Sequence, residues 1–154
     1  VNWLTVSAGL GDLATISAVV ERAFDPRFGE AWSAAQLRST LSLSGSWACL
    51  LHDDGAALGF SLCRRAGPEA ELLLVGVLPL HRGRGAGSAL LDAAFGTASG
   101  FGIDIMFLEV RDGNHAAQQL YERAGFVAVG RRRDYYRGRN TETFDAITMR
   151  RQLK

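Results

Sequence analysis

Apolar positions along this chain fall into short alternating runs and helical stripes, with no long polar interruption between them. Trp3 to Val6 alternates as a first strand. From Gly11-Asp12 the spacing changes, and Leu13, Ile16, Val19, Val20 and Phe24 share one stripe of a helix that Asp25-Pro26 ends. Arg27 to Ser33 reads as a loop, and Ser33 is the N-cap of a second helix running to about Leu43, before the Gly45-Ser46 punctuation. Trp47 to His52 and Ala57 to Arg64 flank Asp53-Asp54-Gly55 and predict an antiparallel hairpin. Gly67-Pro68 then turns the chain into a strand from about Glu71 to Val77.

Helix and strand alternate through the rest of the chain. A helix is expected from about Ala86 to Ser99, with Leu90, Leu91, Ala94 and Phe95 inward and the glycines at 100 and 102 as its stop. A buried strand, Ile103 to Val110, precedes a short helix from Ala116 to Ala124 that Gly125 closes. Strands at Phe126 to Arg131 and Thr143 to Arg150 complete the pattern. The sum predicts an α/β fold of the α+β type: one domain over residues 1–154, with a mixed, mostly antiparallel sheet and helices on both faces.

Composition narrows the function classes. At 154 residues and 47% hydrophobic content the chain can bury a proper core. A net charge of +1 is too small for a general nucleic-acid or membrane-surface binder, so no direct nucleic-acid or membrane partner is expected. No run approaches a membrane span and the N-terminus lacks a basic-then-apolar leader, which makes a cytoplasmic location the default expectation. Cys49 and Cys63 read as small buried hydrophobes that the hairpin does not place opposite each other, so no disulfide is expected. His52, His81 and His115 are scattered, which speaks against a metal site.

The most informative stretch runs from Val75-Gly76-Val77 through Arg82-Gly83-Arg84-Gly85 into a helix starting near Ala86-Gly87-Ser88. Glycines let successive N–H groups converge on one anion, while a helix N-terminus adds unpaired donors and roughly half a positive charge. Arg82 and Arg84 place fixed positive charge beside it. A Walker loop fails for want of its lysine, since none occurs between Val1 and Gln152. The dinucleotide fingerprint fails because its last glycine position falls on Ser88 or Leu90. Arg82-x-x-Gly85-x-Gly87 instead resembles the acyl-CoA signature of the GNAT N-acetyltransferases.

A second block strengthens the resemblance. Leu108-Glu109-Val110-Arg111, Asn114-x-x-Ala117 and Leu120-Tyr121-Glu122-Arg123-x-Gly125-Phe126 resemble the RimI branch of that superfamily, acetyltransferases that modify protein N-termini. Asp134-Tyr135-Tyr136 and Asp145-Ala146-Ile147-Thr148-Met149 extend the likeness to the C-terminus, and Glu30-Ala31-Trp32-Ser33 is similar to the branch's Pro-Trp-Ser turn.

The resemblance implies that acetyl-CoA enters between two splayed strands ending near Val77 and Val110. Its thioester arm would pair with the backbone of Val75, Gly76 and Val77, its pyrophosphate would sit on the amides of Gly83, Arg84, Gly85, Ala86, Gly87 and Ser88, and Asn114 would bond the pantetheine. Gly76 has an independent sense as room for a close-packed arm. Glu109 and Tyr121 match the family's base and acid.

Plainer readings stand beside these. Glu109 also fits a polar strand end, Asn114 a helix N-cap, Tyr121 a core aromatic, and Arg131, Arg132, Arg133, Arg137 and Arg139 a solvated basic face, with contact to a ribosome or an acidic substrate as the functional alternative. The implied acceptor is a protein N-terminal α-amine, typically alanine on a small-subunit ribosomal protein, entering between the Asp25–Ser33 and Arg131–Thr141 loops. Two features depart from the branch: Phe144-Asp145-Ala146 stands where Glu-Asp-Ala is common, and an arginine-rich loop suits an arginine-rich acceptor poorly. A small-molecule amine, a lysine side chain, or a non-catalytic acyl-CoA sensor are the alternatives.

Overall fold

The computed structural model describes residues 3–154; residues 1 and 2 of the expected domain lie outside the described residues. The elements in chain order are β1 (Trp3–Ala8), α1 (Leu13–Ala23), α2 (Ala34–Leu41), β2 (Ser46–Asp53), β3 (Ala56–Ala66), β4 (Glu69–Val77), α3 (Ala86–Gly100), β5 (Ile105–Arg111), α4 (His115–Arg123), β6 (Val127–Arg137) and β7 (Thr143–Gln152). All seven strands join one sheet in the order β1-β2-β3-β4-β5-β7-β6. Among the described residues only β4 and β5 pair in parallel, and the other neighbours are antiparallel.

Local chemistry sets the element ends. Asp54 and Gly55 both take positive φ, +49° and +82°, the backbone twist that a tight hairpin turn requires between β2 and β3. Ser33 and Gln36 form a reciprocal cap on α2: the Gln36 N–H donates to Ser33 Oγ at 3.2 Å and the Ser33 N–H to Gln36 Oε1 at 2.8 Å. Both cysteines are free and buried, and Cys49 lies opposite Ser61 while Cys63 lies opposite Trp47. Among the described residues no helix is long and apolar enough to cross a membrane.

The helical stripes bury three cores among the described residues, the third formed by Ala86 and Leu90 of α3 on Cys49, Leu51 and Val77. Ile16, Val19 and Val20 of α1 pack with Leu37 of α2 on Leu50, Phe60, Leu62 and Leu74. Leu91, Ala94 and Ala98 of α3, with Tyr121 of α4, cover the opposite face against Leu72, Met106, Leu108 and Met149. Each fully buried leucine or phenylalanine contributes about 1.5–3 kcal/mol relative to exposure, which makes these stripes the main cohesion of the layers.

Two departures from simple alternation bear on the site. The first is a bulge in β4: Cys63 faces Leu72 and Leu62 faces Leu74, so Leu73 is an extra residue. Before it, Ala70 and Leu72 pack toward α3; after it, Leu74 packs toward α1. The same point ends the parallel ladder, since β4 pairs with β5 only from Glu69↔Ile105 to Leu72↔Leu108. Beyond it β4 stays with β3 and β5 stays with β7, and the sheet opens.

The second is the length of β6. The expected strand stopped at Arg131, whereas β6 continues to Arg137 with register breaks between Ala128 and Gly130 and between Arg132 and Tyr136. As an edge strand, β6 leaves nearly every side chain exposed, so no apolar alternation marks it while its backbone still pairs with β7. The connecting loop is accordingly shorter than the expected Arg131–Thr141 segment.

Candidate functional site

The glycine-arginine turn folds tightly into the start of α3, the backbone form expected of a cradle. Gly83 and Gly85 take φ of +73° and +89°, a region that side chains with a β-carbon rarely adopt, and no atom comes within 4 Å of a β-carbon position at Gly83. Gly85 is the N-cap of α3 and offers no capping side chain. The first helical bond runs from the Ala89 N–H to the Gly85 carbonyl at 3.0 Å, which leaves the N–H groups of Ala86, Gly87 and Ser88 outside the helical ladder. Arg84 is exposed and makes no ion pair among the described residues.

Arg82 departs from the expected role of cradle charge. Its Nε donates to the Val77 carbonyl at 3.0 Å and its Nη2 donates to the Ala23 carbonyl. The guanidinium therefore joins the end of β4 to the C-terminus of α1, where the helix dipole favours a cation. Gly76 departs too. A β-carbon there would meet Phe60 at 2.8 Å, Ala23 at 3.1 Å and Phe24 at 3.4 Å, so its missing side chain makes room for core packing against α1.

A cleft occupies the opening between β4 and β5. Leu73, Leu74 and Val75 form one wall and Glu109 and Val110 the other; Glu30 and Trp32 reach it from the α1–α2 loop, Asn114 and Tyr121 from α4, and Tyr135 and Tyr136 from β6. Glu109 and Tyr121 belong to opposite faces of the sheet, and the opened strands bring both to one cavity.

The Glu109 carboxylate is held at both oxygens. Thr148, its cross-strand partner, donates its hydroxyl to Oε2, and Arg132 Nε lies 3.3 Å from Oε1. The Tyr136 hydroxyl donates to the Glu109 carbonyl at 3.3 Å. With its side chain 16% exposed, Glu109 is oriented but reachable. Tyr121 is 8% exposed and meets Phe126 edge-on at 5.9 Å. Burial, with Glu30 adding to it, raises the Tyr121 phenol far above its ordinary value and keeps it protonated at neutral pH. Asn114 caps α4 by accepting the Ala117 N–H at 3.2 Å, and its amide nitrogen makes no hydrogen bond among the described residues.

At the outer end, Arg111 Nε pairs with Glu30 Oε1 at 3.2 Å, with side chains only 13% and 14% exposed. The Arg111 guanidinium also stacks on the Phe28 ring at 3.7 Å, and Phe28 meets Phe144 at 5.3 Å. The α1–α2 loop and the β6–β7 loop touch directly. The Arg139 N–H donates to the Arg27 carbonyl at 3.2 Å, and Arg27 pairs with Glu142 at 3.3 Å. A β-carbon on Gly29 would collide with the Arg137 carbonyl, and one on Gly138 with the Arg27 carbonyl. The two loops between which the acceptor is expected to enter are thus in direct contact with each other.

The expected residues Val75, Glu109, Asn114 and Tyr121 share this cleft, and the cradle lies at the far end of β4. Thr148 and Tyr136 stand in the sequence only as parts of the resemblance, Arg132 as part of a basic face and Glu30 as part of a turn. Thr148 was reachable from the β5–β7 register, whereas Glu30 comes to the site only through tertiary folding.

The acetyltransferase (GNAT) family model matches residues 16–126. The N-alpha-acetyltransferase RimI of Mycobacterium tuberculosis is 44% identical over 94 residues, covering 60% of this chain and 56% of that protein. A [ribosomal protein bS18]-alanine N-acetyltransferase of Haemophilus influenzae is 35% identical over 86 residues, covering 56% and 58%. The chain thus matches a little over half the length of these curated relatives. In three dimensions, the crystal structure of the ribosomal-protein-S18-alanine N-acetyltransferase from Escherichia coli superposes with a TM-score of 0.88 at 28% identity, over 99% of this chain and 95% of that one. An opened parallel strand pair, a glycine cradle at the end of β4 and a family match spanning both leave one conclusion: this chain belongs to the acetyltransferase (GNAT) family.

Proposed function

We propose that the chain works as one cytoplasmic domain that transfers an acetyl group from acetyl-CoA to a primary amine, with the α-amine of a protein N-terminus as the favoured acceptor. The observation that carries the reading is the single cleft in which Glu109 and Tyr121 meet between the opened strands, with the cradle at the end of the same β4 strand. The activities named for the relatives support it, and they make an N-terminal alanine on a small-subunit ribosomal protein the acceptor to test first.

Bound acetyl-CoA supplies an activated acetyl thioester with a thiol leaving group. Gly83, Arg84, Gly85, Ala86, Gly87 and Ser88 hold the pyrophosphate through backbone N–H groups and the uncapped start of α3, and Arg84 adds free charge. The backbone of Val75, Gly76 and Val77 faces the opening, with no β5 partner to satisfy it, and pairs with the thioester arm. The Asn114 amide donates to the same arm. Arg82 acts from behind by fixing the strand end from which the cradle starts.

Glu109 accepts a proton from the incoming ammonium, directly or through water, and Tyr121 donates one to the departing sulfur. An α-amine with pKa roughly 8 is about one-tenth neutral at pH 7, whereas a lysine amine near 10.4 is less than about one-thousandth neutral, so an α-amine asks less of Glu109. Incubating the purified chain with acetyl-CoA and a peptide starting with alanine, while following free thiol, tests the reading. Thiol release that requires the free α-amine is the expected result. Tight acetyl-CoA binding without release to any peptide, lysine or small amine would instead assign the chain to acyl-CoA sensing.

A further inference from the structure

Resting on the proposed amine acetylation, we infer that Thr148 is the positioning residue of the proton acceptor: its hydroxyl fixes Glu109 through Oε2 and leaves Oε1 as the oxygen that takes the proton from the acceptor amine. A glutamate side chain has three rotatable bonds, so a base on a strand needs an anchor to stay in one pose. Thr148 lies directly across from Glu109 on β7 and donates its hydroxyl to Oε2. β7 is paired on both sides, with β5 and with β6, and a β-branched side chain is stiff about its first torsion. The anchor therefore stands on a fixed piece of sheet. On its other side Thr148 faces Gly130, where a β-carbon would stand 3.8 Å from Thr148 Cβ and 3.9 Å from its Oγ1. The glycine brings no side chain to compete for the hydroxyl, and Glu109 is its one side-chain hydrogen-bond partner among the described residues.

Oε1 is held in a different way. Its partner is Arg132, a long side chain 61% exposed on the edge strand β6, with Nε at 3.3 Å. An exposed pair of that kind is weak and exchanges readily with water or another cation. The contact with Arg132 is thus the one that gives way to the acceptor's ammonium, and the Thr148 bond is the one that stays. Protonation chemistry agrees. A carboxylate that takes a proton on Oε1 keeps Oε2 as a carbonyl oxygen, which still accepts the Thr148 hydroxyl, so the side chain holds the same pose before and after the transfer. The Arg132 donor, by contrast, competes for the very oxygen that must take the proton. Thr148 is not among the residues lining the cleft, while Glu109 is, so the threonine acts on the amine only through the carboxylate it holds.

The test replaces Thr148 by valine, alanine and serine and follows free thiol with a peptide that starts with alanine. Thr148→Val keeps the shape and removes the hydroxyl, and Thr148→Ala removes it without adding an apolar branch. Both are expected to lower kcat by about tenfold while the KM for acetyl-CoA stays within about twofold, and Thr148→Ser is expected to keep kcat within about threefold of the parent chain. In a Glu109→Gln background, assayed at raised enzyme concentration, Thr148→Val should lower kcat by less than about twofold more, because the group it positions is gone. Parent-like kcat in the valine and alanine variants, a serine variant as slow as both, or an undiminished valine effect in the Glu109→Gln background overturns this inference and leaves the proposed transfer intact. No thiol release by the parent chain with any amine removes the transfer reading and this inference together.

Discussion

The cradle and the paired loops at the outer end lie at opposite ends of the proposed site, and they are built in opposite ways. The cradle is one stretch of chain: β4, the glycines at 83 and 85, and the start of α3. Its donors are backbone N–H groups, so composition matters mainly where it permits the fold. The outer end is assembled from parts far apart in sequence. Arg27 pairs with Glu142, Glu30 with Arg111, and Phe28 with Phe144, so its chemistry is in side chains whose neighbours only the fold supplies. A region made of backbone is specific for a shape of ligand, and a region made of distant side chains is free to vary its preference.

That contrast can be broken or sharpened by substitution. The largest effect is expected at Glu109, where the two regions meet: Glu109→Gln should lower kcat by about 10² to 10⁴, measured by thiol release, and leave acetyl-CoA affinity by calorimetry nearly unmoved. A comparable loss of acetyl-CoA binding would mean that the two regions are not separable. Next, Gly85→Val forces a β-branched side chain to φ near +89° and should raise the KM for acetyl-CoA by about tenfold or more, with the amine KM within about twofold. Equal movement of both constants would break the division.

The mirror experiment is Gly138→Ala. Its β-carbon has no room beside the Arg27 carbonyl, so the loops must part. The amine KM should rise severalfold while acetyl-CoA binding stays, and the melting temperature should fall by an amount equivalent to about 1–3 kcal/mol. The smallest effect concerns acid stability behind the outer loops. The Asp134 N–H, and then Arg131, hold the Asp145 carboxylate below its ordinary value. A depressed folded pKa gives stability that is full above the unfolded value near ~3.9 and is lost as pH falls through the folded one. Asp145→Asn should therefore lower the melting temperature slightly at neutral pH and flatten the acid limb of its pH profile, so that variant and parent converge at low pH.

The same contrast explains what the sequence disclosed. The α1 stripe, the Ser33 cap, the Asp54-Gly55 turn and the cradle were legible because each depends on residues within a few positions. The inward turn of Arg82 was not, because its partners Val77 and Ala23 are carbonyls that any sequence supplies. The roles of Gly76 and Thr148 required the register of neighbouring strands, which places Phe60 against one and Glu109 against the other. The long β6 was hidden for a different reason: an exposed edge strand has no buried face to write into the pattern.

The extra residue at Leu73 has a consequence for how the chain comes apart. On one side of it β1 to β4 form a continuous antiparallel meander, and on the other β5, β7 and β6 pair antiparallel in that spatial order; between the two sets the strand pairing is confined to Glu69–Leu72 with Ile105–Leu108. Each set of strands is contiguous in the chain, and α3 packs mainly on the first, though its core side chains also reach Met106 and Met149, while α4 belongs to the second. The exposed turn at Phe101-Gly102 is therefore a natural scission point, and fragments cut there carry the cradle on one piece and Glu109 with Tyr121 on the other. Reassembly of such a split chain would be read out by acetyl transfer itself, since neither fragment holds both.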